Sequence, residues 1–269
     1  MSKTPISRYT VLMSVTMALA ISFIAAVVLL GLGGETVGLW VADVGSVLVT
    51  GLAAAIVIRT ALQYQPGEPY RRYWMLIGIG VAVYSIGDLV WAAYELTGND
   101  VPYPGAPDLF YFAEYAFLGT ALLTAALAYR GLVDLKKPLA ITGVVTAGAA
   151  IALWLGFLGP VVFADPELST AERAVSVAYP LFDVFFAFAP ALLLLLVISA
   201  LGGGRLAWPW WPVVIGTVVL AASDTGYALA ETLGGYVTGG IIEYGWMAAH
   251  GLLAVGALIA RDVTGTFSR

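Results

Sequence analysis

Residues 10–33 read TVLMSVTMALAISFIAAVVLLGLG, a stretch of 24 residues that contains no charged side chain. A helix needs roughly 20 predominantly apolar residues to cross a bilayer, so this stretch is long enough to do so. Lys3 and Arg8 precede it, as they would in a signal peptide, but no small-residue cleavage site closes a short apolar core. We therefore expect a membrane anchor that remains part of the protein.

The rest of the chain has the same apolar character. Hydrophobic residues make up 61% of the sequence and charged residues 11%, with a mean hydropathy of +0.92, whereas soluble domains carry about a quarter charged residues. We therefore predict an all-α polytopic membrane protein, with residues 1–269 forming a single transmembrane domain in the lipid bilayer. Turn residues separate eight predicted helices, at about 10–33, 38–62, 72–96, 107–130, 138–160, 173–200, 208–233 and 240–260.

Composition excludes several classes of function. The chain has no cysteine and a single histidine, His250, which excludes disulfides, thiolate chemistry and the usual multi-histidine zinc sites. Lysine occurs only at positions 3, 136 and 137, outside the apolar stretches, so a retinal-type Schiff base within a helix is excluded. The sequence has no basic patch for nucleic acid and no hydrolase or phosphate-loop motif. The sequence does not identify a cofactor or a metal.

The basic residues fall on one side of the predicted bundle. Positively charged residues favour cytoplasmic loops, so we expect a multi-pass protein of the cell membrane with both termini in the cytoplasm. Only Arg173 lies on the other side. Of the 17 acids, 14 lie on that same side or in the half of the membrane that faces it. The eleven residues assigned to the cytoplasm are Lys3, Arg8, Arg59, Arg71, Arg72, Arg130, Lys136, Lys137, Arg205, Arg261 and Arg269.

Two stretches resemble each other and predict an internal repeat. Asp88–Glu95 reads DLVWAAYE and Asp224–Glu231 reads DTGYALAE, at an offset of 136. An even number of helices separates the copies, so they would form two parallel four-helix halves, at about 10–130 and about 138–261, related by an axis along the membrane normal. Matched residues continue in the neighbouring helices: Asp108, Tyr111 and Tyr115 against Glu243, Trp246 and His250, and Asp43 against Asp183.

The matched acids and rings share helix faces, because residues three and seven apart lie on one side of a helix. Aromatic faces attract a cation and carboxylates neutralise it. A carboxylate within a membrane is costly, so such acids are functional-site candidates. The candidate ligand-binding residues are Asp43, Asp88, Trp91, Glu95, Asp108, Tyr111, Tyr115, Asp183, Asp224, Tyr227, Glu231, Glu243, Trp246 and His250.

Simpler roles remain open for part of this set. Capping explains an acid equally well where it lies near a helix end, as do Glu95, Asp108, Glu231 and Glu243. A functional role or a buried network is favoured for the deeper acids, Asp88, Asp183 and Asp224.

Other polar and aromatic residues have ordinary structural explanations. Glu114 has no matched acid, since its partner position is Ala249. His250 fits a hydrogen-bonded contact between helices. The indoles at the start of the seventh helix are typical of membrane-interface anchors: Trp208, Trp210 and Trp211.

The stretch at residues 103–111 reads YPGAPDLFY and follows the Gly87-Asp88 pair of the preceding helix. This order is similar to that in the multi-helix membrane sensor regions fused ahead of diguanylate cyclase or histidine kinase domains in bacteria and archaea, with Gly105 replacing the usual Ser and Pro107 replacing Ala. The Asp-x-Gly-Tyr pattern at 224–227 is also similar to the second half of such regions. The resemblance covers most of the chain and implies a sensory domain. The sequence stops at Arg269 without an output domain, so signalling would need a partner protein or a longer chain.

Two kinds of function fit these features. The first is a sensory or ligand-binding membrane domain whose acidic-aromatic pocket opens to the non-cytoplasmic side and holds a cation, a cationic or amphipathic small molecule, or protons. It would act through a signalling partner protein or a homo-oligomer. The second is a cation- or proton-coupled transporter or channel that uses the same acids. The almost wholly apolar inner halves of the helices favour the first, and an intramembrane enzyme using paired acids has the least support.

Overall fold

The computed structural model describes residues 6–202, 204–233 and 235–265, apart from the side chain of Thr232. Within these ranges every regular element is a helix, and eight helices are long and apolar enough to cross a membrane. The predicted all-α, eight-helix fold is therefore confirmed. Two of the basic residues used to predict orientation, Lys3 and Arg269, lie outside the described residues.

The eight helices are numbered here in chain order. Every predicted boundary lies within four residues of the observed one. Helix α1 ends four residues early because Gly31 and Gly33 adopt positive φ angles, which a helix cannot contain. The bounds are α1 Arg8–Leu29, α2 Gly34–Ala61, α3 Pro69–Leu96, α4 Ala106–Ala128, α5 Lys136–Val162, α6 Thr170–Ala200, α7 Gly204–Glu231 and α8 Ile241–Thr264.

Helix α6 contains a wide π-helical segment, Asp183–Phe188, followed closely by Pro190. Proline has no N–H, so it cannot bond to the carbonyl of Phe186 in the preceding turn. The freed carbonyl instead packs against Gly119 of α4, where an added Cβ would lie 2.5 Å from the carbonyl oxygen. π turns are frequent at functional sites, and this one begins at a predicted site residue.

Hydrogen bonds between helix ends define the two ends of the bundle. The Ser7 N–H donates to Asp262 at 2.8 Å and so joins the start of α1 to the end of α8; we call this the basal end. At the opposite, distal end, Thr238 in the α7–α8 loop donates to Glu95 of α3 at 2.6 Å. The first and last described helices therefore begin and end at the same side of the bundle.

The outward surface of the bundle is rich in large apolar side chains. A soluble protein of this size would bury most such residues, and eight apolar helices agree with a multi-pass membrane protein. Examples that are more than 60% exposed are Leu19, Phe23, Leu48, Leu109 and Val144.

The α3–α4 and α7–α8 pairs pack through glycines at matched positions. A Cβ on Gly80 would lie 3.2 Å from the Cβ of Phe117, and a Cβ on Gly216 would lie 3.2 Å from the Cβ of Leu252. The two glycines are 136 positions apart and their two partners 135, which are the offsets of the sequence repeat. The shared contact supports the two-half organisation, which stays a prediction.

Residues at matched positions also contact each other. Trp74 and Trp210, 136 positions apart, stack with ring centroids 5.3 Å apart and planes at 10°. Trp91 and Tyr227, at the same offset, meet edge to face at 6.3 Å. Equivalent residues of two-fold-related halves touch only beside the axis, so these pairs would mark an axis that runs between α3 and α7.

The prediction that Trp210 is an interfacial anchor is wrong. Its side chain is 1% exposed because α7 turns it inward onto Trp74. Trp208 and Trp211, its neighbours in the sequence, are 43% and 48% exposed and do lie at the surface.

Candidate functional site

A chamber of about 50 Å³ lies in the distal half of the bundle. Its wall is made of carboxyl groups, phenols and indoles from α2, α3, α4, α6, α7, α8 and the α7–α8 loop. Among the described residues, no lysine or arginine lines it. The lining residues are Asp43, Ser46, Tyr84, Asp88, Trp91, Asp108, Tyr111, Glu114, Tyr115, Tyr179, Asp224, Tyr227, Tyr236, Glu243 and Trp246.

Asp88 of α3 is surrounded by hydroxyl groups. Ser46 of α2 donates to its Oδ2 at 3.0 Å, and Tyr111 of α4 donates to its Oδ1 at 3.2 Å. The Thr50 hydroxyl lies 3.0 Å from the same Oδ2 and shares its proton with the carbonyl of Ser46. Hydrogen bonds to a charged acceptor are the strong ones, so this arrangement suits an ionised carboxylate.

Asp224 of α7 occupies the matched place in the second half. The indole N–H of Trp246 donates to its Oδ1 at 2.6 Å, the same contact that Tyr111 makes in the first half. The Tyr115 hydroxyl contacts Asp224 Oδ2 and also lies 2.7 Å from Asp183 Oδ1. One phenol therefore bridges two carboxyl groups from α6 and α7.

His250 pairs with Glu114 and does not line the chamber. Its Nδ1 lies 2.8 Å from the carbonyl oxygen of Trp246, and its Nε2 lies 3.0 Å from Glu114 Oε1. A carbonyl only accepts, so Nδ1 carries a proton, and the pair shares one more proton between Nε2 and the carboxyl group. The ring lies behind Tyr84, with centroids 4.1 Å apart. The predicted helix–helix contact is thus present, between α4 and α8.

Two lining acids also cap helices. Asp108 accepts the Gly105 N–H at 2.6 Å, and Glu243 accepts the Gly239 N–H at 2.9 Å, each in the first turn of its helix. Burial raises the pKa of the Tyr236 phenol, which therefore keeps its proton and donates to Glu243 at 2.9 Å. The capping alternative holds for both acids, and both still face the chamber.

Three aromatic rings separate the chamber from the distal surface. The Trp91 ring lies 6.3 Å from Tyr227 and 6.1 Å from Tyr236, and the two phenols lie 4.8 Å apart, all centroid to centroid. Beyond these rings is a vestibule of about 1140 Å³ formed mainly by the distal loops, and its wall includes Glu95 and Glu231.

One acid faces the chamber with an unused acceptor. Asp43 is 5% exposed, and its Oδ2 finds no hydrogen-bond partner within the described part of the chain. An unpaired buried acceptor costs free energy. This oxygen is therefore the one most available to a bound group.

The predicted site residues mostly converge. Glu95 and Glu231 lie in the vestibule, Asp183 lies beneath Tyr115, and His250 lies behind the wall. The ten that line the chamber are Asp43, Asp88, Trp91, Asp108, Tyr111, Tyr115, Asp224, Tyr227, Glu243 and Trp246.

Five lining residues were missed by the sequence prediction: Ser46, Tyr84, Glu114, Tyr179 and Tyr236. Helical spacing would have found two of the omitted hydroxyl groups. Ser46 lies three residues after Asp43 and Tyr84 lies four before Asp88, so each shares a face with a predicted acid. Tyr236 lies in a loop, where no periodicity applies.

Within the described ranges, no group of three or more His, Asp or Glu side chains converges closely enough to hold a metal ion. The carboxyl groups are instead distributed around the wall. No family model, curated protein or solved structure matches the chain. The chamber itself is therefore the basis for assigning a function.

Proposed function

We propose that this protein is a membrane-embedded sensory domain that binds a small cation of the ammonium class in the acidic-aromatic chamber. The observation that carries the proposal is the charge of the wall. Six carboxyl groups line the chamber, and its described lining includes no lysine or arginine. Buried carboxylates are costly without a counter-charge. A bound cation provides that counter-charge.

The size and chemistry of the chamber favour a compact organic cation. A volume of about 50 Å³ has room for about three or four water-sized groups. The distributed carboxyl groups do not form a metal-coordination set. Aromatic faces, which attract ammonium groups, are supplied by Trp91, Tyr227 and Trp246. Methylammonium is a suitable probe of this class.

A chamber that opens at only one end of the bundle supports a receptor more than a transport pathway across the membrane. Toward the basal end the interior is filled by apolar side chains, and the stacked Trp74 and Trp210 are among them. The vestibule opens at the distal end, which the basic-residue bias assigns to the non-cytoplasmic side. The ligand would enter there, and the signal would pass to a partner protein or to a second copy of the chain.

The test is a methylammonium titration of the detergent-solubilised protein, followed by the fluorescence of the indoles that line the chamber. Replacing Asp88 or Asp224 by Asn keeps the shape but removes a charge, so we expect binding to weaken about tenfold or more. Asp134→Asn is the matched control, because Asp134 lies exposed in the basal α4–α5 loop. Normal binding by both chamber variants, together with lower thermal stability, would make these acids structural links between helices.

A transporter is the second candidate. The observation that favours it is the chamber's place beside the pair Trp91 and Tyr227, which would lie on an axis between two matched halves, as in many secondary transporters. Flux of labelled methylammonium into proteoliposomes separates the two functions. A receptor binds without flux, whereas a transporter moves the label across the membrane and loses this flux with Asp88→Asn.

A further inference from the structure

The predicted halves differ in the surroundings of their matched acids. Asp43 and Asp183 are 140 positions apart, and at this offset Phe186 replaces Ser46 and Pro190 replaces Thr50. The second half therefore lacks the two hydroxyl groups that contact Asp88 in the first half. Its acids use the Tyr115 phenol instead.

The number of protons available to Tyr115 and its two carboxyl partners shows the consequence of this replacement. A phenol has one O–H and can donate to only one of two carboxyl groups. Tyr115 contacts both Asp183 and Asp224, so both contacts are hydrogen bonds only if one carboxyl group carries a proton and donates it to the phenol oxygen. Asp224 already accepts the indole N–H of Trp246 at 2.6 Å, which favours its ionised form. The protonated member is therefore Asp183.

We propose that Asp183, Tyr115 and Asp224 form a proton-binding triad that exchanges its proton with the chamber. Asp183 is 2% exposed, and its Oδ2 finds no hydrogen-bond partner among the described residues. Asp183 is not among the residues that line the chamber, so its proton reaches the chamber through its partners. Asp224 lines the chamber and provides the exit.

The exchange step is a relay that conserves protons. The Asp183 O–H passes its proton to the Tyr115 oxygen, and the phenol passes its own proton to Asp224. Asp224 then releases that proton into the chamber. The triad loses one proton and gains one negative charge, and no other bond changes.

Titratable groups surround the triad on several helices. From α4 come Glu114 and Asp108, from α6 Tyr179, and from α8 His250. Helix α5 also packs against the π segment of α6, but its charged residues, Lys136 and Lys137, lie only in its first turn. The lysines are thus remote, and His250 is tied to Glu114. A cation that enters the chamber is the remaining source of new positive charge.

The link between proton release and cation binding rests on the proposed function. A cation beside Asp224 favours the charged triad and displaces its proton, so the affinity for the cation rises with pH. Displacement of one proton gives about a tenfold gain in affinity per pH unit over the range in which the triad is protonated. In the first half Asp88 accepts hydrogen bonds from hydroxyl groups and supplies charge, and the second half supplies the exchangeable proton.

Infrared spectroscopy tests the triad without any ligand. Protonated carboxyl groups absorb in a carbonyl-stretch region distinct from that of carboxylates. Asp183→Asn should remove one component of this absorption, whereas Asp88→Asn should leave every component in place. Tyr115→Phe, which removes only the bridging hydroxyl, should shift the Asp183 component. An unchanged spectrum in both Asp183→Asn and Tyr115→Phe would overturn the proton site.

Methylammonium titrations at several pH values test the linkage. Wild type should gain affinity about tenfold per pH unit, and Asp183→Asn should show a clearly smaller gain over the same pH range, because it lacks the exchangeable proton of the triad. A pH-independent wild type that shows the infrared component would overturn the linkage alone. Failure of methylammonium to bind at any pH would overturn the proposed function, while the infrared component still decides the triad.

Discussion

At the scale of single residues, the pair of Glu114 and His250 shows how a buried acid is stabilised in the interior of the bundle. Their side chains are 3% and 0% exposed, and they share one proton. The pair stays neutral in sum, whether as imidazolium and carboxylate or as imidazole and carboxylic acid. Removal of either partner alone leaves a buried polar group without its match.

We therefore expect His250→Ala to lower the free energy of unfolding by about 3–5 kcal/mol. The double variant His250→Ala with Glu114→Leu should recover much of that loss, because the carboxyl group that would have lost its partner is then absent. Denaturant titrations of the purified protein in detergent measure both values. Equal stability of His250→Ala and wild type would show that Glu114 has another partner.

Single residues also show where prediction from sequence ended. The position of Asp88 and Asp224 within apolar stretches predicts a functional role or a buried network, and both side chains point into the bundle, 8% and 7% exposed. Glu114 has no acid at its matched position, Ala249, so the repeat does not predict it as a site residue. Its partner His250 lies 136 residues away, and no helical spacing predicts a contact of that kind.

At the scale of helices, the π segment of α6 brings α6 against α4 at Gly119. Apolar length and turn residues predicted α6 to within a few residues but not its wide turn, because the turn depends on a proline and on a glycine in another helix. Local sequence thus determined the length of each helix. The close approach of two helices depended on a pair of residues from different parts of the chain.

Gly119→Ala should destabilise the protein by about 1–3 kcal/mol, because its Cβ would lie 2.5 Å from the carbonyl oxygen of Phe186. Gly148→Ala in α5 is the matched control. An added Cβ there has no neighbour within 4 Å among the described residues, and alanine favours a helix over glycine. Thermal unfolding of the two variants side by side measures the difference, and similar melting temperatures would mean that α4 and α6 can move apart freely.

At the scale of the whole molecule, the fold was the most predictable property. Length and hydropathy alone are sufficient to place eight helices, since the bilayer sets how long an apolar stretch must be. The chamber was predictable only in part. Residues on shared helix faces were found, whereas Tyr236 reaches the wall from a loop whose path depends on tertiary contacts.

The orientation of the bundle is a prediction of the same scale. Reporter fusions at Asn99, in the α3–α4 loop, and at Arg269 should locate on opposite sides of the membrane, with Arg269 in the cytoplasm. A periplasm-active phosphatase and a cytoplasm-active fluorescent protein give complementary readouts. The same location for both fusions would contradict the five spans, α4 to α8, that separate the two sites in the eight-span topology.

The apolar packing beneath the chamber has an electrical consequence. With the basal half closed by Trp74 and Trp210, a cation that enters from the distal side stops part of the way through the transmembrane voltage. A unit charge gains about 2.3 kcal/mol across a full 100 mV. About half of that drop is roughly 1 kcal/mol, or about a fivefold change in affinity per 100 mV.

Methylammonium binding in proteoliposomes should therefore tighten when a potassium diffusion potential makes the basal side negative. An affinity that does not change with the potential would place the chamber outside the electric field of the membrane. An affinity that changes as expected would mean that this protein responds to the membrane potential as well as to its ligand.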